Sequence, residues 1–67
     1  MRNPNYYYNQ IDRAIRQYEE GKYAEHPIGW ITDRIAWCSK FKHITDEQQY
    51  ELVDRVIMIM KVAEFYK

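Results

Sequence analysis

The chain has 67 residues, 46% of them hydrophobic and 30% charged, with 10 basic and 10 acidic side chains that cancel. A length of this order accommodates one domain, residues 1–67, and a chain so short buries only about 60% of its unfolded surface. Seven Tyr, two Trp and two Phe exclude a disordered composition, and the zero net charge removes any general electrostatic pull toward nucleic acid or an anionic membrane.

The first predicted helix spans 4–20. Asn3 suits the cap, Pro4 the first helical position and Gly21 the position just past the end. Tyr7, Ile11, Ala14, Ile15 and Tyr18 recur at three- and four-residue steps and so share one stripe, with Arg13, Gln17 and Glu20 facing away.

The second helix is predicted over 27–41. Ile28, Ile31, Ile35 and Cys38 form one stripe, and Trp30, Trp37 and Phe41 form another on a different side. A helix apolar over that much of its circumference needs two neighbours, as the central member of a three-helix bundle has. The third helix, 46–66, opens on "TDEQ", a capping box with Thr45 at the cap and Gln48 three residues on. Leu52, Val53, Val56, Ile57, Ile59, Met60 and Ala63 then give a broad apolar face, uninterrupted by Gly or Pro. The short link "KHIT" forces helices two and three antiparallel, and no segment alternates with a two-residue period. The expected fold is an all-α three-helix bundle. Its core is predicted to hold Tyr7, Ile11, Ile15, Tyr18, Ile28, Ile31, Ile35, Cys38, Leu52, Val56, Ile59 and Met60, with Trp30 and Trp37 at least partly buried.

Cys38 has no second cysteine to bond, the N-terminal "MRNPNYYYNQ" is polar where a signal peptide needs an apolar segment, and the longest fully apolar run is "VIMIM". A membrane span needs about 20 apolar residues. A reduced, cytoplasmic setting without a membrane is expected.

Little chemistry suggests itself. His26, His43 and Cys38 show none of the spacings of zinc sites, and His43 reads more simply as a base near the C-terminal end of helix two. Cys38 lies on an isoleucine stripe, where a thiol behaves as a small hydrophobe. No glycine-rich phosphate loop or serine elbow is present. No enzymatic activity, metal, cofactor or small-molecule substrate is therefore expected. A helix-turn-helix reading of helices two and three fails on charge, because Asp46, Glu47, Glu51 and Asp54 all precede Arg55 in the would-be reading helix. The alternative nucleic-acid surface is Tyr6, Arg13 and Arg16 on helix one, which combines stacking with charge; its plainer reading is a solvated face with an Asp12–Arg16 pair.

Protein binding is the class the pattern favours. Met58, Val62 and Phe65 lie away from the core face of helix three, beside Glu51 and Asp54, which is the make-up of a partner-binding patch. A homodimer through helix three is the expected assembly, since small domains gain stability by self-association. The stretch "WITDRIAWCSKFKHI" followed by "LVDRVI" resembles small helical proteins of Gram-positive phages and prophages. That resemblance implies a host- or phage-protein partner, in an inhibitor or adaptor role, and supplies no catalytic residues.

An Asp-Arg pair before an apolar residue recurs three times, in "IDRAI", "TDRIA" and "VDRVI", with Asp12, Asp33 and Asp54 equally spaced. The three pairs fall in different settings. Asp12 borders the first stripe while Arg13 points away, and Arg55 is nearer the core than Asp54. Arg34 falls between the isoleucine and tryptophan stripes, where a charge is costly unless its stem is packed and its head paired. Two expectations follow. Either Arg34 stacks on Trp30 or Trp37 and pairs with a carboxylate, Asp12 first, or Trp30, Arg34 and Trp37 form the contact centre for a partner.

Overall fold

In a computed structural model of the chain, residues 5–65 are described, with side chains as far as Ala63. Three helices, α1 (Tyr6–Glu19), α2 (Ile28–Lys40) and α3 (Asp46–Phe65), each contact the other two. The fold is an all-α three-helix bundle. Helix α2 lies one residue inside its predicted bounds at each end, α1 ends one residue earlier than predicted, and α3 starts where predicted. Asn3 and Pro4, expected to open α1, and residue 66, the expected end of α3, lie outside the described residues, and Asn5 holds the cap position of α1.

Three of the boundaries have a local cause in hydrogen bonds. At the end of α1, Gly21 takes a left-handed backbone (φ 69°). The Lys22 N–H then reaches the Gln17 carbonyl and the Gly21 N–H the Tyr18 carbonyl, which closes the last turn as a Schellman motif. The end of α2 is built the same way, with His43 N–H to Cys38 O and Lys42 N–H to Ser39 O. Here the left-handed residue is Lys42 (φ 59°), which carries a Cβ where glycine is usual. The predicted capping box at α3 forms in both directions: the Thr45 N–H donates to Gln48 Oε1 at 2.9 Å, and the Gln48 N–H to Thr45 Oγ1 at 3.1 Å.

Two registers fix the bundle. Asn5–Gln48, Tyr8–Glu51 and Asp12–Arg55 are bonded pairs with the same sequence offset of 43, so α1 and α3 run parallel. Tyr7 packs on Trp37, and the Tyr18 hydroxyl donates to the His26 carbonyl, so α2 runs antiparallel to α1.

The core consists of Ile11, Ala14, Ile15, Ile31, Ile35, Cys38, Ile44, Leu52 and Val56, all buried, with Tyr7, Tyr8, Tyr18, Ile28, Trp30 and Ile59 packed partly buried against it. Met60, predicted in the core, is instead 49% exposed. It sits about 100° round the helix from Ile59, past the edge of the arc that α1 and α2 cover. Ile44, in the link before α3, supplies core volume that helix periodicity does not reveal, because it belongs to no helix.

The left-handed Lys42 gives a direct test of this boundary. Lys42→Gly is expected to raise stability by up to about 1 kcal/mol in urea denaturation, since relief of the left-handed strain outweighs the entropy a glycine adds to the unfolded chain. A loss of stability would show that the turn is not built on that residue.

Candidate functional site

Two surfaces combine chemistry with exposure. The first runs along the flank of α2 that faces α1. Trp30, Arg34 and Trp37 recur at four- and three-residue steps, so they line up along that flank. The Arg34 guanidinium carbon lies 5.5 Å from the Trp30 ring centre and 5.3 Å from that of Trp37, a cation held between two indoles. The stack extends in both directions. His26 lies nearly flat on Trp30 at 3.7 Å, and Trp37 meets Tyr7, Phe41 and His43, while Tyr7 and His43 stack at 4.3 Å. The ladder is open to solvent at its Trp37 end, where Trp37 is 39% and Phe41 53% exposed.

Arg34 does not pair with Asp12. Asp12 sits on the opposite flank of α1, toward α3, where it accepts from Arg55 at 2.6 Å and forms an ion pair with Arg16 at 3.1 Å. Among the described residues Arg34 has no ion pair, and its buried Nε has no hydrogen-bond partner. The antiparallel register that sets Tyr7 against Trp37 and Tyr18 against His26 puts Gln10 level with Arg34, and Gln10 Oε1 is likewise buried without a partner. A donor and an acceptor thus stand unmatched at one level of the α1/α2 groove. Both the stacking and the exposed tryptophan anticipated for Arg34 are present, and the carboxylate is not.

The second surface is α3. Met58 is 58% and Val62 50% exposed, and both line an open groove of about 390 Å³ with Tyr18, Glu19, Arg55, Ile59 and Ala63. The side chain of Phe65, the third residue expected on this patch, lies outside the described residues. The other flank of α3 exposes Tyr50, Val53, Ile57 and Met60. Helical spacing holds the signal for this second stripe, but the sequence reads Val53, Ile57 and Met60 within one broad apolar face and puts only Met60 of the three in the core.

Arg55 ties α3 to α1 beside the groove. Its Nε and Nη2 donate to the two carboxylate oxygens of Glu19 at 3.1 and 2.7 Å, and its Nη1 donates to Asp12. These bonds hold the Glu19 carboxyl below its ordinary pKa and push that of Arg55 up. Tyr8 donates to Glu51, which pushes the phenol's pKa up.

Cys38 is completely buried, and burial pushes its thiol pKa up, so it packs as a hydrophobe. Of the residues that form the alternative nucleic-acid surface, Tyr6 meets Tyr7 edge-on, Arg13 lies 3.6 Å from Glu25, and Arg16 is held by Asp12. Among the described residues no group of three or more His, Cys, Asp or Glu could hold a metal ion, and no helix is long and apolar enough to cross a membrane.

Compared with models of known protein families, with curated proteins and with solved structures, the chain matches none of them.

The depressed Glu19 sets a pH dependence. A lowered folded pKa contributes stability above the unfolded value of 4.5 that is lost as pH falls through the folded one. Glu19→Gln is expected to lower stability at pH 7 by under about 1 kcal/mol, since the pair is partly solvated. The gap between wild type and variant is expected to close below about pH 4 in urea denaturation. A gap that persists at acid pH would assign the effect to packing instead.

Proposed function

We propose that the chain is a small non-enzymatic protein-interaction module whose binding centre is the Trp30–Arg34–Trp37 ladder. The observation that carries this reading is the unmatched cation. A guanidinium between two indoles is stiffened and partly dried, and its buried Nε has no partner among the described residues. A partner that brings a carboxylate to the outer, Nη edge of Arg34 would give that cation a charge-assisted pair. Tryptophan and arginine, rigid and partly desolvated, are the residues that most often dominate binding energy at such centres. Trp37 and Phe41 would supply the surrounding apolar contact. The inhibitor or adaptor role implied by the phage-protein resemblance belongs to the same class of function.

The groove beside Met58 and Val62 is an auxiliary contact in this reading, and the fold has its core without either residue. The helix-one alternative draws less support, because Arg13 and Arg16 already face acids of the chain.

Affinity capture with wild type and with Arg34→Ala, read by mass spectrometry beside thermal melts of both chains, tests the proposal. The expected result is a partner lost from the Arg34→Ala bait, at an affinity reduced about thirtyfold, the scale of a 2 kcal/mol contact, with the melting temperature unchanged. A lowered melting temperature with the partner retained would assign Arg34 to the fold and overturn the reading.

A further inference from the structure

The stripe on the outer flank of α3 has an edge with a charge pattern. Tyr50, Val53, Ile57 and Met60 recur at three- and four-residue steps, the spacing of a coiled-coil seam, and are 67%, 37%, 43% and 49% exposed. Along one edge, one heptad apart, stand Asp54 and Lys61. Both are exposed, and neither has an ion pair among the described residues. Seven residues of helix separate them by about 10 Å, so they do not pair with each other within one chain. On its other edge the stripe adjoins the buried Val56 and the core.

Laid against a second copy of itself, α3 resolves this pattern in one orientation only. In a parallel pair Asp54 would face Gln49 and Lys61 would face Val56 of the second copy, so neither would meet an opposite charge. In an antiparallel pair with Ile57 against Met60 of the second copy, Asp54 meets Lys61 of that copy, and the two-fold axis repeats both contacts. The seam is then apolar at its centre and closed by two opposite-charge pairs on its open edge.

We propose that the occupant of this face is a second copy of the chain, in an antiparallel, two-fold dimer centred on Ile57 and Met60. This rests on the reading of the chain as a protein-interaction module and moves self-association from the Met58/Val62 flank to the opposite one. It uses none of Trp30, Arg34 or Trp37. A chain that proves monomeric would therefore overturn this inference and leave the Arg34 reading standing, and a partner retained by Arg34→Ala would do the converse.

Sedimentation equilibrium over a wide concentration range, at low salt, tests it. The wild-type mass is expected to rise from 8.3 kDa toward twice that value with concentration. Ile57→Asp is expected to hold the monomer mass with its helical circular dichroism kept. Asp54→Lys and Lys61→Asp are each expected to weaken self-association about tenfold, through like charges placed across the seam. The double exchange D54K/K61D is expected to recover it. The two charge variants lie on the surface, so they test the pairing even if Ile57→Asp fails to fold. A wild type that stays at the monomer mass at millimolar concentration, or a double exchange no tighter than either single one, would overturn the proposal.

Discussion

A helix in a three-helix bundle has two neighbours, and they cover an arc of it somewhat over 100° wide. In this chain α1 lives within that limit: its apolar side chains Ile11, Ala14 and Ile15 are buried together, and its outer face is polar. The other two helices exceed it. Beyond the buried Ile31, Ile35 and Cys38, α2 carries a tryptophan flank, and beyond the buried Leu52 and Val56, α3 carries apolar groups on both sides. The surplus has different consequences on the two helices. On α2 the surplus aromatic rings fold back over an arginine and pack against α1 and the α2–α3 link. On α3 the surplus stays exposed.

Charge decides how the surplus is presented. The Asp12 carboxylate accepts from Arg55 and forms an ion pair with Arg16, and Arg55 continues to Glu19, so one four-residue network pins α3 against α1 in parallel register. With Asp12 committed on that flank, α1 offers Arg34 no acid on the other one. What lies level with Arg34 is Gln10, a neutral group. The same registration that stabilises the α1–α3 pair thus leaves the α2 cation to its aromatic neighbours. Each exposed pair of that network contributes modestly; its larger effect is to select one alignment among those that apolar packing alone tolerates.

The three helices were legible because their signals are local. Gly21 past the end of α1, the Thr45/Gln48 box and the isoleucine spacing of α2 each specify structure within a few residues, and each is found where expected. The misplacement of Met60 came from treating α3 as facing one broad partner. Its apolar residues divide into a buried arc and two flanks only once the directions of α1 and α2 are known. Ile44 escaped because a link residue has no periodicity to read. The candidate site was half legible. Spacing put Trp30, Arg34 and Trp37 on one flank and marked the arginine as anomalous, but which acid it could reach depends on the α1–α2 register, a tertiary fact. The left-handed Lys42 was not legible either, since a lysine gives no local sign that its backbone must close a turn.

The claim on which the functional reading depends is that Arg34 lies between two indoles and carries no carboxylate in the unbound chain. Its side-chain Nε–Hε resonance in a proton–nitrogen NMR spectrum reports this directly, because ring currents from both faces shield that proton while an ion pair deshields it. The expected result is an Arg34 Hε signal shifted well upfield of its position in the urea-unfolded chain, and returned most of the way toward it in Trp37→Ala. An Arg34 signal that coincides with its unfolded-chain position, or lies downfield of it, would contradict the stacked and unpaired guanidinium.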